Sequence, residues 1–409
     1  MTPFYQKLVL LFAILLLSQT VSAQLTGSKY IPVDYPTIQA AVTALNAAGV
    51  GAGGVVFNVA AGYTETVSST ISLTATGTAA NMIVFRKDPA TIGANPLIYS
   101  YTTGVATPFS AVQDGIWRLV GADYVTIDGI DLSENAANTS NPATMEYGYA
   151  LYKASTSNGC RNVVIQNCVI TLNRNNDTTA TVPASDGSTG ILVANALSTS
   201  AASSFTPIAG GQNSFNGFYR NTIQNCNTGI ALIGYSAPAP YTLADTANDV
   251  GGNSALTGNT IINYGGGTAP AGPAAAIRTY GQQGVNIAWN TINSNNGSGI
   301  KHEGILRGIH MATASGANAS ILNNTITLHG GGTTQTIYAI DNTAGSTQNG
   351  NTILISGNNI QNSTYTTATS GGFYGINSSG SPTNFHAFNN NITGNSTSAV
   401  TGIFYGIYN

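Results

Sequence analysis

Ser320-Ile-Leu-Asn-Asn-Thr-Ile-Thr-Leu328 carries a unit, apolar-x-x-Asn-x-Ile, that recurs along the second half of the chain. The unit returns at Asn221-Thr222-Ile223, Asn259-Thr260-Ile261, Asn290-Thr291-Ile292, Asn358-Asn359-Ile360 and Asn390-Asn391-Ile392. Successive asparagines are 38, 31, 34, 34 and 32 residues apart. An apolar residue returns five positions before the isoleucine: Phe218, Leu256, Ile287, Ile321 and Ile355. A period of this length marks a solenoid, in which each repeat buries its apolar face only against its neighbours.

A second register runs in parallel. Ile191, Ile230, Ile277, Ile309, Ile340, Ile376 and Ile407 each follow Gly or Ala. Each coil therefore carries this strand and the Asn-x-Ile strand. Stacked parallel strands lie about 4.8 Å apart. The asparagines are then expected to form an internal ladder, each amide bonding to the next coil. The ladder supplies the partner without which a buried amide is costly. Asparagine also tolerates the left-handed backbone of a tight turn.

Composition supports a solenoid over compact α-rich domains. Charged residues are 7% of the 409, too few for a helical surface. Apolar residues reach 42%, which excludes a disordered chain. A net charge of -3 leaves no footprint for nucleic acid. Past the N-terminus no apolar run is long enough to span a bilayer.

Residues 1–23 read as a secretory signal peptide: Lys7, the apolar run Leu8–Leu17, and a small-residue cleavage site at Val21-Ser22-Ala23. Export to the cell surface or the medium is expected. Residues 24–66 read as a capping helix and first coil. Pro36 suits a first helical turn. Ile38, Ala41, Val42 and Leu45 fall at helical spacing, and Gly49–Gly54 ends the helix. An end coil exposes its apolar interior and needs such a cap. Residues 67–409 form the coils. Insertions at 174–187, 198–217 and 236–254 are expected to project from one side. The chain stops at Tyr405-Gly-Ile-Tyr-Asn409, the start of another coil. Either a partner covers that coil or the chain continues as a longer protein; continuation is the preferred reading.

The block Tyr35-Pro-Thr-Ile-Gln-Ala-Ala-Val42, a glycine-rich gap, Val55-Val-Phe-Asn-Val59 and Gly62-Tyr-Thr-Glu65 resembles the opening of pectate-lyase-like and pectin-esterase-like proteins. That resemblance implies an all-β, right-handed parallel β-helix solenoid with an N-terminal capping helix. It does not carry over a catalytic residue. The paired aspartates and Gly-His-Gly of polygalacturonase-like hydrolases are absent. So are the Asp-Phe-Ile-Phe-Gly and Arg-Pro-Trp segments of pectin esterases, and the Arg-x-Pro-x-x-Arg run of Ca-dependent pectate lyases. Fold alone does not give function.

Candidate chemistry lies in a polar column. The residue after each registered isoleucine is Arg278, His310, Asp341, Asn377 and Tyr408. Alternation directs these residues outward. Lys301-His302-Glu303 and Arg307 lie nearby. His310, Asp341, Lys301 and Glu303 are the candidate acid–base groups. Arg278, Arg307 and His302 are the candidate substrate-binding groups, able to neutralise a uronate carboxylate. The plainer reading is a solvated face whose charges pair weakly. Tyr338, Tyr374 and Tyr405 sit two before the isoleucine; Leu306, Ile337, Phe373 and Phe404 sit three before it. Both columns cannot alternate inward, so a bend lies between them, and the facing of the tyrosines stays open.

No cofactor is expected. Asp123, Asp128, Asp131 and Glu134 raise a Ca²⁺ site, but turn chemistry accounts for them better. Among Cys160, Cys168 and Cys226 a disulfide is open, while Cys168 fits a small buried residue at the ladder position. The function expected is a non-catalytic surface or extracellular protein, adhesin-like, that binds polysaccharide or a cell-surface glycan. The alternative is a polysaccharide lyase or glycoside hydrolase acting on acidic polysaccharide at residues 278–341.

Overall fold

The computed structural model describes residues 23–104, 113–139, 144–174, 187–199, 205–266, 272–297, 301–347 and 350–409. The expected signal peptide lies outside the described residues, save Ala23, and so does the centre of the 174–187 insertion.

Three long sheets, all parallel, run the length of the molecule: a 12-stranded sheet A and 10-stranded sheets B and C. Each coil visits them in turn. One coil is Asn318–Leu322 in A, Thr325–Thr327 in B and Ile337–Asn342 in C. The next coil repeats the path with Thr352–Ser356, Asn359–Gln361 and Phe373–Ser378. Strands paired in each sheet belong to successive coils. The chain is a parallel β-helix.

Both sequence registers are real ladders. Ile292, Ile326 and Ile360 align across sheet B. Ile277, Ile309, Ile340, Ile376 and Ile407 align across sheet C. In sheet A, Ile287, Ile321 and Ile355 align as expected. Leu256 does not join them: Val250 pairs with Phe218 and Ile287, and Leu256 is 84% exposed. A turn after Val250 lengthens that coil, so counting back from Ile261 lands outside the strand.

The asparagine ladder occupies the corner between sheets A and B. Asn221 Nδ2 donates to Asn259 Oδ1 at 3.1 Å. The links Asn259–Asn290, Asn290–Asn324, Asn324–Asn358 and Asn358–Asn390 are each 2.9 Å. Each backbone N–H also donates to the next Oδ1, as Asn324 N does to Asn358 at 3.0 Å. The second Nδ2 hydrogen finds a sheet A carbonyl, such as Ile287 O for Asn324. Cys168 N donates to Asn221 Oδ1, so Cys168 does hold the ladder position. The left-handed residue is not the ladder asparagine but the one before it: Arg220, Trp289, Asn323, Gly357 and Asn389 all have positive φ. All the cysteines are buried and free, and burial pushes each thiol up to about 12.

The helix spans Ile38–Ala48 and buries Ile38, Ala41, Val42 and Leu45. Pro36 lies before the helix and not in its first turn: Thr37 is the N-cap, its side chain accepting from Ala40 N. A second acceptor comes from the coil below. Glu65 takes the N–H groups of Ile38 and Gln39 at 2.7 and 3.1 Å. Gly49 ends the helix at φ 73, its N–H on Leu45 O. A strand at Leu25–Ile31, unforeseen in the sequence, pairs with Val50–Val59 at the edge of sheet A.

The insertions leave from two corners. The strands on either side of the first insertion lie in sheets B and C, and those flanking the other insertions in C and A. The last of these even supplies sheet A strands at Asp245–Thr246 and Asp249–Val250.

Candidate functional site

Sheet C bends within each strand. Leu306 and Ile309 both reach the core, with Gly308 between them. A Cβ on Gly308 would meet Ala339 O at 2.4 Å and Ile326 Cγ2 at 2.8 Å. The sheet B isoleucine therefore crowds this position, and the inward side is used twice in succession. Arg307 and His310, flanking the bend, take the outer side. Phe373 accordingly packs in the core and stacks on Phe404 at 4.9 Å, while Tyr338, Tyr374 and Tyr405 take the other side of the sheet.

Arg278, His310, Asp341, Asn377 and Tyr408 align across adjacent strands, as the register required. The solvated reading of this column fails at all but Tyr408, which is 44% exposed. Arg278 is 7% exposed, His310 8% and Asp341 1%. The reason lies in the sheet. On neighbouring coils its outer face carries a second apolar cluster that includes Tyr147, Tyr152, Leu192 and Ile233. On those coils sheet C is buried on both faces, and its strands lose the in–out alternation of a half-exposed sheet.

The charges within the column are unequally matched. Arg307 Nε donates to Asp341 Oδ2 at 2.5 Å, and Asn377 Nδ2 donates to Oδ1 at 2.7 Å. His310 Nε2 lies 3.9 Å from Oδ2. Arg307 also rests 5.4 Å above the Tyr338 ring. Arg278 stands differently: its Nε is buried with no hydrogen-bond partner, and no carboxylate among the described residues pairs with it. Burial, then the charge of Arg307, lowers its pKa to about 10. His310 Nδ1 is likewise buried without a partner. Burial first, then Arg307 and Arg278, holds His310 well below the usual histidine range, so its ring is neutral. With Asp341 matched to Arg307, the cluster keeps one uncompensated positive charge, on Arg278.

Lys301, His302 and Glu303 precede the sheet C strand and lie beside Gly331 and Gly332 of the next coil, at the corner and not on the sheet face. Lys301 is exposed and Glu303 half-buried. His302 is buried, which lowers its pKa to about 4 against a hydrogen bond to the Gly272 backbone that raises it.

The tyrosine faces are already in use. Tyr338 and Tyr374 stack at 5.0 Å and 28°, and Tyr374 meets Tyr405 at 5.2 Å. Ring edges, not faces, look outward, so the row is no stacking platform for a sugar. Asn377 and Tyr338 were not singled out as site residues by sequence reasoning. Their signal was present: they occupy the same offsets from the registered isoleucine as Asp341 and Arg307.

The carboxylates of the other constellation have separate partners. Asp128 accepts from Gln166 and Asn167, and Asp131 from Asn95 and Val169 N. Glu134 accepts from Ser100, Asn138 and Met145 N, and Asp123 from Arg161 N. Among the described residues no group of three His, Cys, Asp or Glu gathers to hold a metal.

No protein-family model matches this chain, and no curated protein matches it. Solved structures of similar fold include a GH136 lacto-N-biosidase from Eubacterium ramulus. The native protein shows 12% identity and TM-score 0.42; the selenomethionine derivative shows 14% and 0.40. Each match covers 86% of this chain and 64% of that one, so this chain spans less than two thirds of their length. Pectate lyase Pel9A matches at 13% identity and TM-score 0.30, over 88% of this chain and 73% of that one. No helix among the described residues is long and apolar enough to cross a membrane.

Proposed function

We propose that this is an exported, surface or extracellular β-helix protein that binds acidic glycan, with Arg278 receiving a carboxylate of the chain. One observation carries the reading: a buried guanidinium without a counter-ion among the described residues. An unpaired buried charge is strongly unfavourable, and a bound anion removes that penalty. Arg307 is occupied by Asp341 and Lys301 sits at a corner, so Arg278 is the group left to bind.

The lyase or hydrolase reading has one supporting observation. A neutral His310 beside a carboxylate-binding arginine can accept a proton. The test separates the two. Purified protein is passed over immobilised acidic and neutral polysaccharides, and the eluate is assayed for unsaturated products and new reducing ends. Retention on the acidic set alone, without product, supports binding. Product lost in His310→Ala with retention kept supports catalysis. Equal behaviour on neutral and acidic columns defeats both.

A further inference from the structure

Away from the glycan site, a lysine and an aspartate meet in the core at the corner between sheets C and A. Lys153 ends the strand Tyr147–Lys153, and Asp245 opens Asp245–Thr246. Both side chains are fully buried, with Nζ 3.7 Å from Oδ1. The corner itself is an amide column: Cys160 N donates to Asn213 Oδ1, and Asn213 N donates to Asp245 Oδ1. Asp245 thus holds a place where the preceding coil has an asparagine. An amide would satisfy the column equally well, so the carboxyl calls for another explanation.

The surroundings distinguish the atoms. Lys153 Nζ donates to Gly211 O. Asp245 Oδ1 accepts the Asn213 N–H at 2.9 Å, which polarises that C–O bond. Asp245 Oδ2 is buried and has no hydrogen-bond partner. Burial lowers the lysine pKa and raises the aspartic acid to about 6, each opposed by its partner's charge, which brings the neutral amine and the neutral acid within reach.

We propose that Lys153 and Asp245 condense after folding into an intramolecular isopeptide bond. The Nζ lone pair attacks Cγ, and the oxygen that becomes anionic, Oδ1, is held by the Asn213 N–H. The Cγ–Oδ2 bond breaks. Oδ2 leaves as water, taking its own proton and one from the amine, and the other amine hydrogen stays on the new amide. No redox partner enters. Held contact replaces a dedicated catalyst, since well-oriented groups reach effective molarities of about 10⁵–10⁸ M. Exclusion of water from the corner opposes hydrolysis. The product ties the sheet C strand of one coil to the entry of sheet A further along the axis.

The test is the mass of the folded wild-type protein, measured intact under denaturing conditions after its N-terminus has been established. The expected mass is lower than that of the sequence by one water. Proteolysis should yield a branched peptide joining the segments that contain Lys153 and Asp245, which separates this bond from a cyclised aspartate elsewhere. Lys153→Met should show the full mass. A wild-type chain of full mass, giving only linear peptides, overturns the proposal and leaves an ordinary buried ion pair, whether or not the variant folds.

Discussion

Arg307 and Asp341, on adjacent strands of sheet C, are joined by a 2.5 Å hydrogen bond from Nε to Oδ2. That bond divides the arginines of the site into different roles. Arg307 neutralises Asp341, and Arg278 beside His310 is left with no carboxylate among the described residues. Roles that seemed equivalent in the sequence are separated by three residues of register.

Arg278→Gln and Arg307→Gln should therefore differ. Arg278→Gln should weaken retention on an acidic polysaccharide about tenfold or more, the loss of one charge-assisted contact of about 1.5–3 kcal/mol. Arg307→Gln should mainly lower stability, by about 1–3 kcal/mol, because Asp341 loses its ionic partner in a buried setting. Affinity electrophoresis beside urea unfolding reads both. Because Arg278 is buried, its contribution should persist in salt that screens surface charges over about 8–10 Å. Equal losses of affinity from the two variants would contradict this division.

The ladder makes a graded prediction. Asn324 accepts from Asn290 N and Nδ2, and donates to Ile287 O and Asn358 Oδ1. Asn324→Leu should destabilise by about 1–3 kcal/mol, since buried partners on both coils lose a bond. Asn390→Leu should cost less, because Asn390 is only half-buried at the far end of the ladder. Urea midpoints at constant slope compare them. An equal or reversed order would show that burial does not set the ladder's strength.

Glu65 should act as a remote cap. Its carboxylate receives two N–H groups from the first turn of the helix and the Tyr63 hydroxyl. Glu65→Ala should cost about 1–2 kcal/mol through the orphaned donors and the helix dipole. Glu65→Gln should recover only part, because one of its two side-chain heteroatoms is a donor. Thermal unfolding read by helix and by strand signals would reveal whether the cap melts first. A Glu65→Ala protein as stable as wild type would remove the capping role.

What the sequence made legible was periodic. The isoleucine rows and the asparagine ladder repeat once per coil, and repetition let each position be checked against its neighbours. The bend at Gly308 was legible too, because Leu306 and Ile309 cannot both follow strict alternation. Failures came where one coil's spacing breaks, as at Leu256, or where the environment is tertiary. The outer face of sheet C looked polar at Arg278, His310 and Asp341. At Arg278 it borders, through Ala231, a second apolar cluster that no local pattern announces. The ion pair Lys153–Asp245 was invisible for the same reason: its partners are far apart in sequence and share no period.

His302 should give the fold an acid-sensitive contribution. Burial lowers its pKa to about 4 from the ordinary 6.5. Between those values the unfolded chain binds a proton that the folded chain refuses, so stability rises with pH across this window and falls as pH drops. The contribution is fully present above pH 6.5, and at pH 4 about 3 kcal/mol of it is lost. Buried acids act oppositely: Asp123, Asp131 and Glu134 are raised by desolvation, and their folded forms take up protons more readily. Net acid stability therefore hides the histidine, and a variant is needed. His302→Gln keeps a polar side chain of similar length without a titrating group. The stability difference, wild type minus His302→Gln, should shrink by about 3 kcal/mol between pH 7 and pH 4, measured by urea unfolding at each pH. A difference that stays constant with pH would mean that the ring is not held neutral in the fold.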